Sequence, residues 1–118
     1  MAREGFYAIG FAGVAEEGFG ILVLDTDVIV GADVAGVKYD GTYEYNSRTE
    51  KLDISVTLTI PAGVGLVTGA PVAGIETQLS IVASIPADLA IKQDHYFQVS
   101  VGGRPVNVKM FKLRDFPG

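Results

Sequence analysis

A chain of 118 residues, 48% apolar and 19% charged, is long enough for one core and too short for two, so a single domain over residues 1–118 is expected. Nine basic against fourteen acidic side chains leave a formal charge of −5, which argues against nucleic acid as a direct partner. The lack of cysteine excludes disulfide scaffolds, zinc–thiolate sites and cysteine nucleophiles, while 15 glycines disfavour helices and lean the chain toward an all-β domain.

From the N-terminus, GFYAIGFAG puts Tyr7, Ile9 and Phe11 on one face of a strand and Phe6, Ala8 and Gly10 on the other. GFGILVLD is a nearly all-apolar strand, and Asp25–Asp27 forms a hairpin turn into VIVGAD. VKYDGTYEY is strand-like but holds Asp40-Gly41, a turn or bulge signal that would break the register of Tyr39, Tyr43 and Tyr45. NSRTE is the next turn. In LDISVTLTI, Leu52, Ile54, Val56, Leu58 and Ile60 alternate with Asp53, Ser55, Thr57 and Thr59, which predicts an antiparallel strand with one buried and one wet face. PAGVGLVTGAP is a loop dividing the chain, and ETQLSIVASI resumes the alternation. PADLAIKQD has room for a short turn of helix after Pro86, and HYFQVSV with PVNVKMFKL forms a hairpin around Gly102-Gly103. About eight short antiparallel strands, with at most one short helix, predict a sandwich or a small barrel, and the count alone does not choose between them.

The glycines of GADVAGVK do not make a phosphate loop. Val37 stands where the lysine is needed, no Ser or Thr follows Lys38, and VKYDGTYEY supplies no helix N-terminus. GFAGVAEEGFG lacks both the spacing and the βαβ context of a dinucleotide fingerprint. His95 is the sole histidine, which leaves no two-histidine metal site. Beside Asp94 it is better placed as a surface residue than as a general base. Ser55, Ser80, Ser84 and Ser100 fall on outward strand faces and suggest no triad. Asp25, Asp27 and Asp33 are near enough in sequence to gather around a hard cation, but they lack the oxygen ladder of a calcium loop. Asp33 fits better as a turn former that bonds nearby backbone N–H groups. Glu16-Glu17 is an acidic turn, and Arg104, Lys109, Lys112 and Arg114 are solvated strand and tail charges. No catalytic residue, cofactor or metal is assigned, and the chain is expected not to be an enzyme.

Seven aromatic residues, Phe6, Tyr7, Phe11, Phe19, Tyr39, Tyr43 and Tyr45, fall in the first 45 positions. Core filling is their first explanation, yet the early strands are apolar on both faces. Phe6 and Ala8, then Leu22 and Leu24, need more cover than one small core gives. A barrel would hide one face inside and pair the other with a second subunit. A closed barrel would also suit a small apolar ligand, its cavity lined by Tyr7, Ile9, Phe11, Ile54, Val56 and Leu58.

The N-terminal half resembles the GrlR-like proteins, negative regulators linked to bacterial type III secretion. The matching elements are Gly5-x-Tyr7 with Phe11, Gly18-x-Gly20-x-Leu22, and Gly31-Ala32-Asp33 followed by Tyr39-x-Gly41-x-Tyr43. The second half agrees mainly in length and strand pattern. The resemblance implies a small up-and-down β-barrel of the lipocalin (calycin) kind, glycines at its strand corners and GAD as a turn between strands. It also implies a homodimer that binds a transcriptional activator protein rather than performing catalysis. The enteric members carry an exposed Glu-Asp-Glu-Asp run after the tyrosine segment. Here that region reads EYNSRTEK, so the candidate partner-binding residues are Glu44, Arg48, Glu50 and Lys51, an acidic patch diluted by base. The expected function is that of a bacterial regulator acting by protein–protein binding; the alternative is a binder or carrier of a small apolar ligand. The start, MAREGFYAIGF, does not look like a signal peptide, and no run approaches the ~20 apolar residues of a spanning helix, so no membrane association and a cytoplasmic location are expected.

Overall fold

The computed structural model describes residues 3–14, 17–66, 68–69, 72–87 and 97–117. It is all-β, with eight strands in chain order: β1 (Gly5–Ala12), β2 (Glu17–Asp25), β3 (Val28–Asp33), β4 (Lys38–Asn46), β5 (Lys51–Ile60), β6 (Thr77–Pro86), β7 (Phe97–Val101) and β8 (Arg104–Asp115). Among the described residues there is no helix, and so none long and apolar enough to cross a membrane. Of the segment expected to hold a helical turn, 86–94, Pro86 ends β6 and the part from 88 on lies outside the described residues, as does His95.

The strands form one antiparallel sheet in the order β6-β5-β4-β3-β2-β1-β8-β7. This is an up-and-down barrel, closed by β8 pairing with β1 and left with a seam where the sheet's two edges, β6 and β7, meet. Cα atoms across that seam approach within 8 Å, yet among the described residues no ladder joins them. Two-residue turns of left-handed backbone build the tight hairpins. Thr26 and Asp27 have φ of 44° and 69°, and Gly102 and Gly103 have φ of 59° and 80°. Threonine is a poor residue for such a conformation. The Glu4 carboxylate offsets this by accepting from the Thr26 N–H at 2.9 Å and its hydroxyl at 3.1 Å.

One end of the barrel, here the lower, carries the β2–β3 and β4–β5 turns. The upper end carries the β3–β4 turn and the long β5–β6 loop. Arg104 holds that loop across the upper end by donating to the Thr68 carbonyl at 3.3 Å. Side chains alternate in and out. Tyr7, Ile9 and Phe11 point inward, as do Leu22 and Leu24, which therefore need no outside cover. At the lower end Tyr7 and Leu52 are wholly buried and Tyr43 packs beside them.

Two glycine expectations are corrected. Asp40-Gly41 neither turns nor bulges: pairing continues unbroken through both residues, with Asp40 opposite Val30 and Thr57, and Gly41 opposite Ile29 and Val56. The residue is glycine because a Cβ there would run into the Ser55 carbonyl and come within 2.8 Å of the Val56 Cα. Gly31-Ala32-Asp33 likewise belongs to β3, and the turn comes after it, at Val34–Val37. Gly20 and Gly31 share the reason found at Gly41, since neighbouring backbone occupies the space of their Cβ atoms. Inward-facing glycines on three successive strands let the sheet curl tightly enough to close.

A third correction concerns Lys112. It is not a solvated tail charge: its side chain is 12% exposed, it lies opposite Tyr7, and it pairs with Asp115.

Candidate functional site

Inward packing leaves a cavity of about 140 Å³ in the barrel. Every strand contributes to its wall. Ile9, Phe11, Ile54, Val56 and Leu58 line it, as do Leu22, Leu24 and Ile29 from β2 and β3, Ile81 and Ile85 from β6, Val99 and Val101 from β7, and Val106 and Met110 from β8. Tyr7 does not. It closes the lower end, its hydroxyl donating to the Arg3 carbonyl and its phenol pushed above the usual pKa, chiefly by burial. Leu66 and Thr68 reach the lining from the β5–β6 loop. Strand periodicity could not have pointed to them, because a loop has none.

The wall is apolar except near Asp33, Tyr39 and Thr68. Asp33 ends β3, and its carboxylate organises the β3–β4 turn. One oxygen, Oδ1, accepts from the N–H of Ala35 at 2.9 Å and of Val37 at 3.1 Å. The other, Oδ2, accepts from the Tyr39 hydroxyl at 2.6 Å. The expected turn-forming role of Asp33 is therefore present, with Tyr39 as a partner the sequence did not suggest. Burial first, then the hydrogen bond to Asp33 and its negative charge, holds the Tyr39 phenol protonated far above its ordinary range. Asp33 lies at the opposite end of β3 from Asp25 and Asp27, so the three do not gather, and no cluster able to hold a metal occurs among the described residues.

Glu44, Arg48, Glu50 and Lys51 are all exposed at the lower end, on the β4–β5 hairpin. Asn46 shapes the turn by accepting from the N–H groups of Arg48 at 3.0 Å and Thr49 at 3.3 Å. None of the four charged residues forms an ion pair among the described residues. The nearby Asp53 carboxylate accepts from Ser84 at 2.7 Å and Asn46 at 3.1 Å, which holds its pKa below the usual carboxylate value.

The outer surface divides in two. Over β4, β5 and β6 the outward residues are mostly Lys, Asp, Thr, Ser and Gln. Over β1, β2 and β3 they are mostly apolar, and Phe111 extends the patch onto β8, whose other outward residues include Asn107, Lys109 and Arg114. Phe111, Ala8, Ile21 and Ala32 form one row across the four strands, and Phe6, Val23 and Val30 form the row beside it. Phe19, Ile21 and Val30 are 59%, 49% and 49% exposed. The Phe6 ring is partly covered by stacking on Phe116 at 5.8 Å.

Neither family models nor curated proteins give a match to this chain.

Proposed function

We propose that this barrel is a regulatory binding protein that works through its apolar outer face, with a second copy of the chain as its first partner. The observation carrying this reading is the apolar face over β1, β2 and β3, continued by Phe111 on β8. Its exposed members include Phe19, Ile21, Val28 and Val30, a contiguous apolar patch of the kind that marks an interaction site. Charge at the rims fits self-association. Lys109 and Arg114 border the face on β8, and Asp40 and Glu44, together with Lys38, border it on β4. A two-fold axis along the strands would set the basic rim of one copy against the acidic rim of the other. The remaining contact surface is the β4–β5 hairpin, whose unpaired Glu44, Arg48, Glu50 and Lys51 are free to meet a protein partner. The resemblance to GrlR-like proteins makes that partner a transcriptional activator and the setting type III secretion in the bacterial cytoplasm.

Native mass spectrometry of the wild type is expected to give a dimer, and Ile21→Glu a folded monomer, because a carboxylate in the apolar row would have to be desolvated on association. A wild type that stays monomeric at high concentration would remove the second copy. Alanine at Glu44, Arg48, Glu50 and Lys51 should leave stability within about 0.5 kcal/mol while weakening the activator complex. If this variant and Ile21→Glu both left every partner interaction intact, the regulatory reading would fail.

The cavity supports a second reading, a binder of a small apolar molecule. At about 140 Å³ it is comparable to an apolar cavity of roughly 150 Å³ that admits benzene, which favours a compact ligand over a long acyl chain.

A further inference from the structure

Resting on that second reading, we infer that the cavity's ligand is a small primary amine, an apolar body of roughly benzene size whose ammonium head meets Asp33. Three observations converge. The cavity walls are hydrocarbon, which selects an apolar body. Among the described residues Asp33 and Tyr39 are its only ionisable lining residues, and the tyrosine is held in its neutral form, so these residues give the site the charge of one carboxylate. That carboxylate has no cationic side chain paired with it among the described residues.

Hydrogen-bond counting adds the direction of approach. A carboxylate offers about four lone-pair sites. The N–H groups of Ala35 and Val37 occupy Oδ1, and the Tyr39 hydroxyl takes one site on Oδ2. The second site on Oδ2 has no donor among the described residues. An ammonium provides the donor and the missing charge together, so the ion pair forms with its geometry already fixed by the turn. An anionic or carboxylic ligand would face repulsion at the same atom. A neutral hydrocarbon of the same size would gain only the burial.

The test is titration of the purified protein with benzylamine, cationic at neutral pH, and with toluene as its uncharged isostere, read by amide chemical-shift changes. Benzylamine is expected to bind at least about tenfold more tightly than toluene, the equivalent of one charge-assisted hydrogen bond. Asp33→Asn keeps an oxygen for the turn and removes the charge, and should bring benzylamine down to the affinity of toluene. Val99→Phe, which fills the cavity from β7, should abolish both. Toluene binding as well as or better than benzylamine would overturn the amine inference and leave the cavity reading standing. Equal benzylamine affinity in the wild type and Asp33→Asn would overturn it in the same way. Binding of neither compound to the wild type would overturn both.

Discussion

Replacing Gly41 by valine is expected to lower stability by about 3–5 kcal/mol, the range of severe packing faults, or to prevent cooperative folding. The cause is local. Gly41 sits mid-strand in β4, facing inward, and the space a Cβ would need is filled by the Ser55 carbonyl and the Val56 Cα. Backbone atoms cannot rotate away as a side chain can, so β4 would have to separate from β5 and lose ladder hydrogen bonds. Gly74→Ala is the control. Nothing lies within 4 Å of a Cβ at Gly74, and the expected change is within about 0.5 kcal/mol. Urea denaturation of the two variants decides the matter. A Gly41→Val midpoint equal to that of the wild type would mean that the β4–β5 approach is not fixed.

Asp33→Ala carries the second large effect. It strips the acceptor from two turn N–H groups and leaves the buried Tyr39 hydroxyl without its partner, a loss of about 2–4 kcal/mol. Asp33→Asn should cost less, because its side-chain oxygen still serves the turn. The same corner sets the alkaline limit of the fold. Tyr39 in the folded state has its pKa raised above the ordinary value of about 10, so the unfolded chain releases this proton first. The folded state then binds more protons than the unfolded state, and stability falls with rising pH. The Tyr39 contribution is therefore complete below about pH 10 and is lost as the pH climbs beyond it. Tyr7 and Tyr43, raised mainly by burial, add to the same slope. Denaturation midpoints measured from pH 8 to 11 should drop above about pH 10, and Tyr39→Phe should flatten that drop. A midpoint independent of pH across this range would show that Tyr39 is not held protonated.

Much of the architecture was legible because strand pairing writes itself into the chain with a period of two. The Leu52–Ile60 alternation, the Asp25–Asp27 turn, the NSRTE turn and the Gly102-Gly103 hairpin all appear where the pattern places them. The cavity was legible only on its clearest strands, β1 and β5. On β2 both faces are apolar, so periodicity could not say that Leu22 and Leu24 face inward while Ile21 and Val23 face out. The pairing of Tyr7 with Leu22 and of Ala8 with Ile21 decides it.

Local alternation and turn chemistry are enough to give an all-β chain, the places of its turns and the inward faces of β1 and β5. Tertiary structure decided what depends on residues far apart in the chain: closure through β8 and β1, the open seam between β6 and β7, and the apolar outer face. It also decided the meaning of Gly41 and Asp33. A glycine within a strand and an aspartate at a strand end look alike whether they turn the chain or fit a neighbour. At Gly41 the Ser55 carbonyl of the adjoining strand makes the distinction, and at Asp33 the Tyr39 hydroxyl does.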